Sequence, residues 1–238
     1  MTTIYFVRHG EAVGNIKFTF QGVADNPLTE QGIKQCRLLA LRLRDTHLDC
    51  IYCSPLCRAW DTGKFINEFH HVTLVPDPAF IEVCGGAMED TDMLDLHDNF
   101  PEYMDAWDNR PWEFVGPLME DGNAAAFARI ERGIRRIVRS HPDQTVLIAA
   151  HGGVMRMFNC IAAGLDITHL NEMGWGDNTC LSCAEFGLEG DRLVSKAVMR
   201  NDTSHVDPSM VTPDFWLIKD RLRAERDARR RAAGEAKA

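Results

Sequence analysis

Nowhere does the chain run for about 18 consecutive apolar residues, so no membrane span is expected. It also lacks a basic leader followed by an apolar stretch and a small-residue cleavage site. The N-terminus passes straight into "TIYFVRHG", and no secretory signal is expected. Positive charge is short: 26 Lys and Arg stand against 35 Asp and Glu, a formal charge of −9, which argues against a nucleic-acid partner. No linker divides the sequence, and no internal repeat is found beyond two histidine–glycine turns described below. One domain over residues 1–238 is therefore expected, with a 45% hydrophobic content ordinary for a globular core.

Cysteine, by contrast, is plentiful, with eight residues. Cys50-x-x-Cys53 and Cys180-x-x-Cys183 have the spacing of paired zinc knuckles. Both pairs sit in strand-like apolar stretches, where positions i and i+3 face opposite ways, so buried free thiols are expected instead. That usage suits a reducing, cytoplasmic setting.

Short apolar runs alternate with helical patterns. Strands are expected at 4–7, 49–53, 72–75, 145–150, 180–186 and 192–198, and helices at 30–44, 55–69, 124–140, 154–163 and 213–231. The alternation predicts βαβ units and an α/β fold with a mostly parallel central sheet. Thr29 is a plausible N-cap, and Ser54-Pro55 reads as a cap followed by a first-turn proline. Between Glu82 and Ala124 the pattern fails. Eleven acids from Glu89 to Asp121 crowd this stretch, with Arg110 its only Lys or Arg and Trp107, Trp112, Phe114 and Met119 interleaved. An inserted lid over about 83–123 is expected. The segment from about 213 to 238 starts apolar and ends charged, which predicts a docked C-terminal helix with a tail.

The two turns carry the chemistry. In "IYFVRHGEAVGN" Arg8 and His9 follow the first strand, and in "TVLIAAHGGVMR" His151 follows the fourth. Ligands of open α/β sheets bind outside the carboxyl ends of strands. Arg58 lies in the first turn of the helix after the second strand, where a helix N-terminus already favours anions. Gly10, Gly152 and Gly153 would let backbone approach a ligand. Two guanidiniums and two imidazoles at one place are costly unless an anion of high charge sits among them, and phosphate is the natural candidate.

"VRHGEAVGN", "QGVADNPLTEQG", "CSPLCRAWDTG", "FIEVCGG" and "IAAHGGVMR" together resemble the histidine phosphatase superfamily, in its phosphoglycerate-mutase-like branch. The resemblance runs from the first strand to about Asn178, in the family's order. It implies a three-layer αβα sandwich with His9 as phosphorylated nucleophile and His151 as second pocket histidine. It further implies phosphoryl binding by Arg8 and Arg58, with Asn15 and Gly152 close by. Gln21 and Gly22 match a loop on the substrate side, and Glu82 matches the proton donor. Met88-Glu89-Asp90 and Gly122-Asn123-Ala124 depart from the family's usual residues near the leaving group, which bears on the substrate. A phosphomonoesterase acting on a small phosphorylated metabolite through phosphohistidine is the leading expectation, with neither metal nor other cofactor. Its alternatives are a phosphoglycerate-type mutase and a non-catalytic phosphate-binding module. A small phosphate ester is the expected partner, with no membrane, and a homo-oligomer stays open.

Overall fold

The computed structural model describes residues 1–213 and 215–235. Six strands form one sheet: β1 (Thr2–Arg8), β2 (Cys50–Cys53), β3 (Thr73–Pro76), β4 (Thr145–Ala150), β5 (Leu181–Glu189) and β6 (Arg192–Asp202). Their spatial order is β3-β2-β4-β1-β5-β6. The first four are mutually parallel, whereas β5 runs antiparallel to β1, and β6 to β5. The sheet is thus mixed, and its parallel part is the half that ends at the two histidine turns. The reason lies in the connection. β5 and β6 are joined by a tight turn at Gly190, whose φ of 61° suits glycine, and so short a link permits only antiparallel pairing.

Eight helices accompany the sheet among the described residues: α1 (Val13–Lys17), α2 (Glu30–Leu43), α3 (Cys57–Asn67), α4 (Met93–Asn99), α5 (Pro101–Asn109), α6 (Asn123–Ser140), α7 (Gly152–Ala162) and α8 (Phe215–Glu235). Alternation along the strands sorts the core into two layers. Ile4 and Phe6, Val146 and Ile148, and Cys50 and Tyr52 pack with Ile130 and Ile134 of α6 and Phe158 of α7. Val7, Leu147, Ile51 and Cys53 face the other way, against Leu39 and Leu43 of α2 and Ile66 of α3. A three-layer sandwich results, and Cys50 and Cys53 do lie on opposite faces. All eight cysteines are free thiols, with Cys57 and Cys84 only half-buried.

The stretch read as an insertion folds as α4 and α5 flanked by two short 3-10 turns, and it contributes Met88, Leu96, Met104 and Phe114 to the larger core. α8 lies against it: Arg226 pairs with Asp95 and, at 3.7 Å, with Asp98. Residues 236–238 of the expected tail lie outside the described residues. No helix among the described residues is long and apolar enough to cross a membrane.

Candidate active site

β1 and β4 are neighbours, with Arg8 opposite Ala150 in register and His9 N–H donating to the Ala150 carbonyl at 2.9 Å. Their carboxyl ends therefore deliver His9 and His151 to one place, ring centroids 5.3 Å apart. β2 pairs with β4 on the far side and delivers Ser54 and Arg58. Glu82 arrives after β3, beyond the 3-10 turn Pro78–Phe80. Parallel pairing alone thus explains why residues scattered from 8 to 152 line one cavity of about 220 Å³.

The imidazole of His9 is fully determined in its tautomer. Its Nδ1 lies 2.7 Å from the Gly10 carbonyl, which can only accept, so Nδ1 carries the hydrogen. In the neutral ring Nε2 then holds the lone pair, and Arg58 Nε donates to it at 3.3 Å. Arg58 is buried and locked by two further bonds, to the Ala24 carbonyl (2.7 Å) and the Gly22 carbonyl (2.8 Å). Gly22 adopts a φ of 47°, and a Cβ there would fall 2.3 Å from Glu89 Oε1. Glu89 in turn accepts from the backbone of Val23 and Gly85. The loop that holds Arg58 is thus pinned to the inserted segment.

His151 is fully buried, and its Nε2 meets Ser54 Oγ at 2.7 Å. The Leu56 amide donates to that same hydroxyl at 3.4 Å. His151 Nδ1 has no hydrogen-bond partner among the described residues. Arg8 gives Nη1 to the Gly176 carbonyl at 2.5 Å, while its buried Nε is also unpartnered. Two orphaned buried polar nitrogens normally carry a cost of about 1–3 kcal/mol each. An anion between them would relieve it. Burial above all, then the charges of Arg58 and Arg8, hold His9 well below the ordinary imidazole pKa. Burial and Arg58 do the same for His151, with smaller contributions from His9, Arg8 and Arg129.

Glu82 accepts one N–H on each oxygen, from Val83 and from Gly153, both at 3.0 Å. Arg129 of α6 steadies the approach to it by donating to the carbonyls of Pro78, Ala79 and Ile81. Asn15 lines the cavity and accepts from the Ala12 amide at 2.9 Å and from Asn178 Nδ2 at 3.4 Å. Gln21, Gly22 and Gly152 line it as well. Every site residue read from the sequence is therefore brought together, His151 forming the inner wall behind His9.

Two expectations are corrected. Ser54 does not cap a helix: α3 begins at Cys57, after Leu56, because the Ser54 hydroxyl is turned to His151. Gly10 serves packing, not ligand approach: a Cβ there would lie 2.6 Å from both Cys36 Sγ and the Gly32 carbonyl of α2. Sequence reasoning missed Ser54 as a site residue, along with Asn178, Trp175 and Phe215. Trp175, in the glycine-flanked stretch "GWGD", lies over the Arg156 guanidinium at 4.4 Å. A tryptophan in so polar a loop was the available signal. Among the described residues no group of three His, Cys, Asp or Glu is placed to hold a metal ion.

A family model described as the histidine phosphatase superfamily (branch 1) matches residues 4–198. Phosphoserine phosphatase 1 of Hydrogenobacter thermophilus is 30% identical over 176 residues, covering 73% of this chain and 82% of that protein. The adenosylcobalamin/alpha-ribazole phosphatase of Escherichia coli is 30% identical over 154 residues, 65% of this chain and 75% of that one. Among solved structures, Bacillus stearothermophilus YhfR superposes with a TM-score of 0.79 at 25% identity, covering 87% of this chain and all of that one (100%).

Proposed function

From the premise that the chain belongs to the histidine phosphatase superfamily, branch 1, we propose that it is a phosphomonoesterase acting on small phosphate esters through a phosphohistidine at His9. The observation that carries this reading is the tautomer of His9. Nδ1–H is anchored on the Gly10 carbonyl, so Nε2 keeps the lone pair, held by a long 3.3 Å contact from Arg58 Nε that a substrate phosphoryl group would displace, in a ring kept neutral by burial. The similarity to phosphatases of small esters supports the same reaction class.

In this mechanism the phosphoryl group sits among Arg8, Arg58 and His151, where the unpartnered Arg8 Nε–H donates to one of its oxygens. His9 Nε2 attacks phosphorus as the P–O ester bond breaks in line with it. Glu82 protonates the departing alkoxide, which leaves as a neutral alcohol. The Glu82 carboxylate then takes a proton from water, the resulting hydroxide attacks phosphorus, and the P–N bond breaks to return neutral His9 and free phosphate. Positioning and charge stabilisation are what phosphoryl transfer asks of a protein. The two guanidiniums supply that charge, so we take the reaction to need no metal. A mutase would have to hold a second anionic group, and among the described residues Arg8 and Arg58 are the only Arg or Lys side chains lining the cavity.

We read the whole chain as one domain in which residues 83–123 cover the site, and free thiols support a cytoplasmic setting. The deciding experiment is a rapid-quench trap with labelled substrate. An acid-labile, base-stable phosphoenzyme should form, vanish in His9→Ala, and survive exhaustive chelation. Label retained by His9→Ala, or activity lost with chelator and restored by Mg²⁺ or Zn²⁺, would refute the mechanism.

A further inference from the structure

The family model ends at residue 198, yet the chain goes on to build part of the cavity. Thr212, Pro213 and Phe215 are among the residues that line it. They are held from both sides. Thr212 Oγ1 donates to Glu11 Oε2 at 2.7 Å, just after the His9 turn, and the Met210 carbonyl accepts from Gln35 at 2.7 Å. Beyond them α8 is tied to the inserted segment through Arg226 and Asp95. Thr212, Pro213 and Phe215 thus form a strap held between two anchors.

What this strap completes is an aromatic compartment. Phe215 lies against Phe18, ring centroids 6.0 Å apart. Trp107 stands edge-on to Phe20 at 5.1 Å and is stacked beside Trp175 at 5.9 Å. Met93 and Val83 fill the space between elements. Trp175 reaches the phosphate end, since a Cβ on Gly152 would meet its Cζ3 at 3.3 Å and Arg8 Cζ at 3.4 Å. Beyond the phosphate-binding groups, the described lining offers the acids Glu82 and Asp177 and no Arg or Lys. Such walls reward a flat apolar group and give nothing to a further anion.

Resting on the phosphatase reading, we propose that the strap residue Phe215, with Phe18 and Trp175, selects phosphate esters whose leaving group is an uncharged aromatic ring. Phe215 is a specificity residue: it touches the leaving group and takes no part in the reacting bonds.

The test compares naphthyl phosphate with glycerol phosphate, both uncharged beyond the phosphate, in wild type, Phe215→Ala, Phe215→Leu and Phe215→Trp. Wild type should favour naphthyl phosphate. Phe215→Ala should lower the ratio of the two kcat/KM values roughly tenfold, through KM more than kcat. Phe215→Trp should restore the ratio and Phe215→Leu should fall between, which guards against a single misfolded variant. Binding of naphthyl phosphonate against methyl phosphonate, read by tryptophan quenching, follows the same compartment without turnover. It therefore separates failure of this inference from failure of the phosphatase reading. An unchanged ratio in folded Phe215→Ala, equal affinity for the two phosphonates, or a preference for glycerol phosphate would each overturn the proposal. So would a preference for bisphosphates, which would shift recognition to the neighbouring cavity bordered by Arg156 and Lys219.

Discussion

His9 and His151 are kept neutral by the same surroundings, burial first and the Arg58 charge second. This has a consequence for stability as well as for reactivity. Unfolded imidazoles protonate near pH 6.5, whereas these two resist protonation in the native chain. Below about pH 6.5 the unfolded state binds more protons, so their contribution is complete above that pH and is lost as pH falls toward the native pKa values. Urea midpoints should therefore drop between pH 7 and pH 5 in the wild type, and drop less in a His9→Asn, His151→Asn double variant. Saturating inorganic phosphate should shrink the wild-type loss, because an anion between the rings favours their charged forms. Equal slopes in the two proteins would show that carboxylates elsewhere dominate the acid limb.

Strand ends are the elements that make the site, and their spacing is set by how closely α2 approaches the turn after β1. A Cβ on Gly32 would lie 2.0 Å from the Glu11 carbonyl oxygen, a backbone atom that cannot swing aside. Gly32→Ala should destabilise by about 3 kcal/mol in chemical denaturation. Gly174→Ala, with nothing within 4 Å of the added carbon, should change stability by less than about 0.5 kcal/mol. A tolerated Gly32→Ala would mean that α2 can retreat without cost. Much at this scale was legible in advance. β4 was read to its ends, and Thr29 does cap α2 by accepting from the Gly32 amide at 2.9 Å. The five motifs carried Arg8, His9, Arg58, Glu82 and His151, the proposed site residues, because the segments that hold them follow strands β1 to β4. Antiparallel pairing of β5 and β6 went unread although the turn at Gly190 marks it. α4 and α5 were hidden because acids, which also suit a solvated loop, outnumber the few apolar anchors such as Leu96 and Met104. Ser54 was misread for a related reason. A serine before proline has the local signature of a cap, and only the partner 97 residues away, His151, assigns it otherwise.

Across the whole molecule, a chain of net charge −9 has to admit an anion to a buried pocket. The acid-rich segment does not crowd the opening. Asp105 and Glu113 pair with Arg110, Asp95 and Asp98 with Arg226, Glu89 accepts from backbone amides, and Asp92 caps α4. From residues 83–123 only Val83, Met93 and Trp107 reach the cavity wall. An overhanging field of lid acids is thus not what would repel a second phosphate. The repelling groups lie inside, Glu82 and Asp177, with no Arg or Lys in the described lining beyond Arg8 and Arg58 to offset them. Interactions within one pocket act over less than the Debye length of about 8–10 Å and escape most salt screening. Matched mono- and bisphosphates should therefore differ in kcat/KM at every ionic strength, in favour of the monophosphate. Their ratio should move by less than about threefold between low and high salt. A tenfold collapse of the ratio at high salt would return the discrimination to the long-range field of the protein. A bisphosphate preferred at low salt would require a second anion site and would restore the mutase reading.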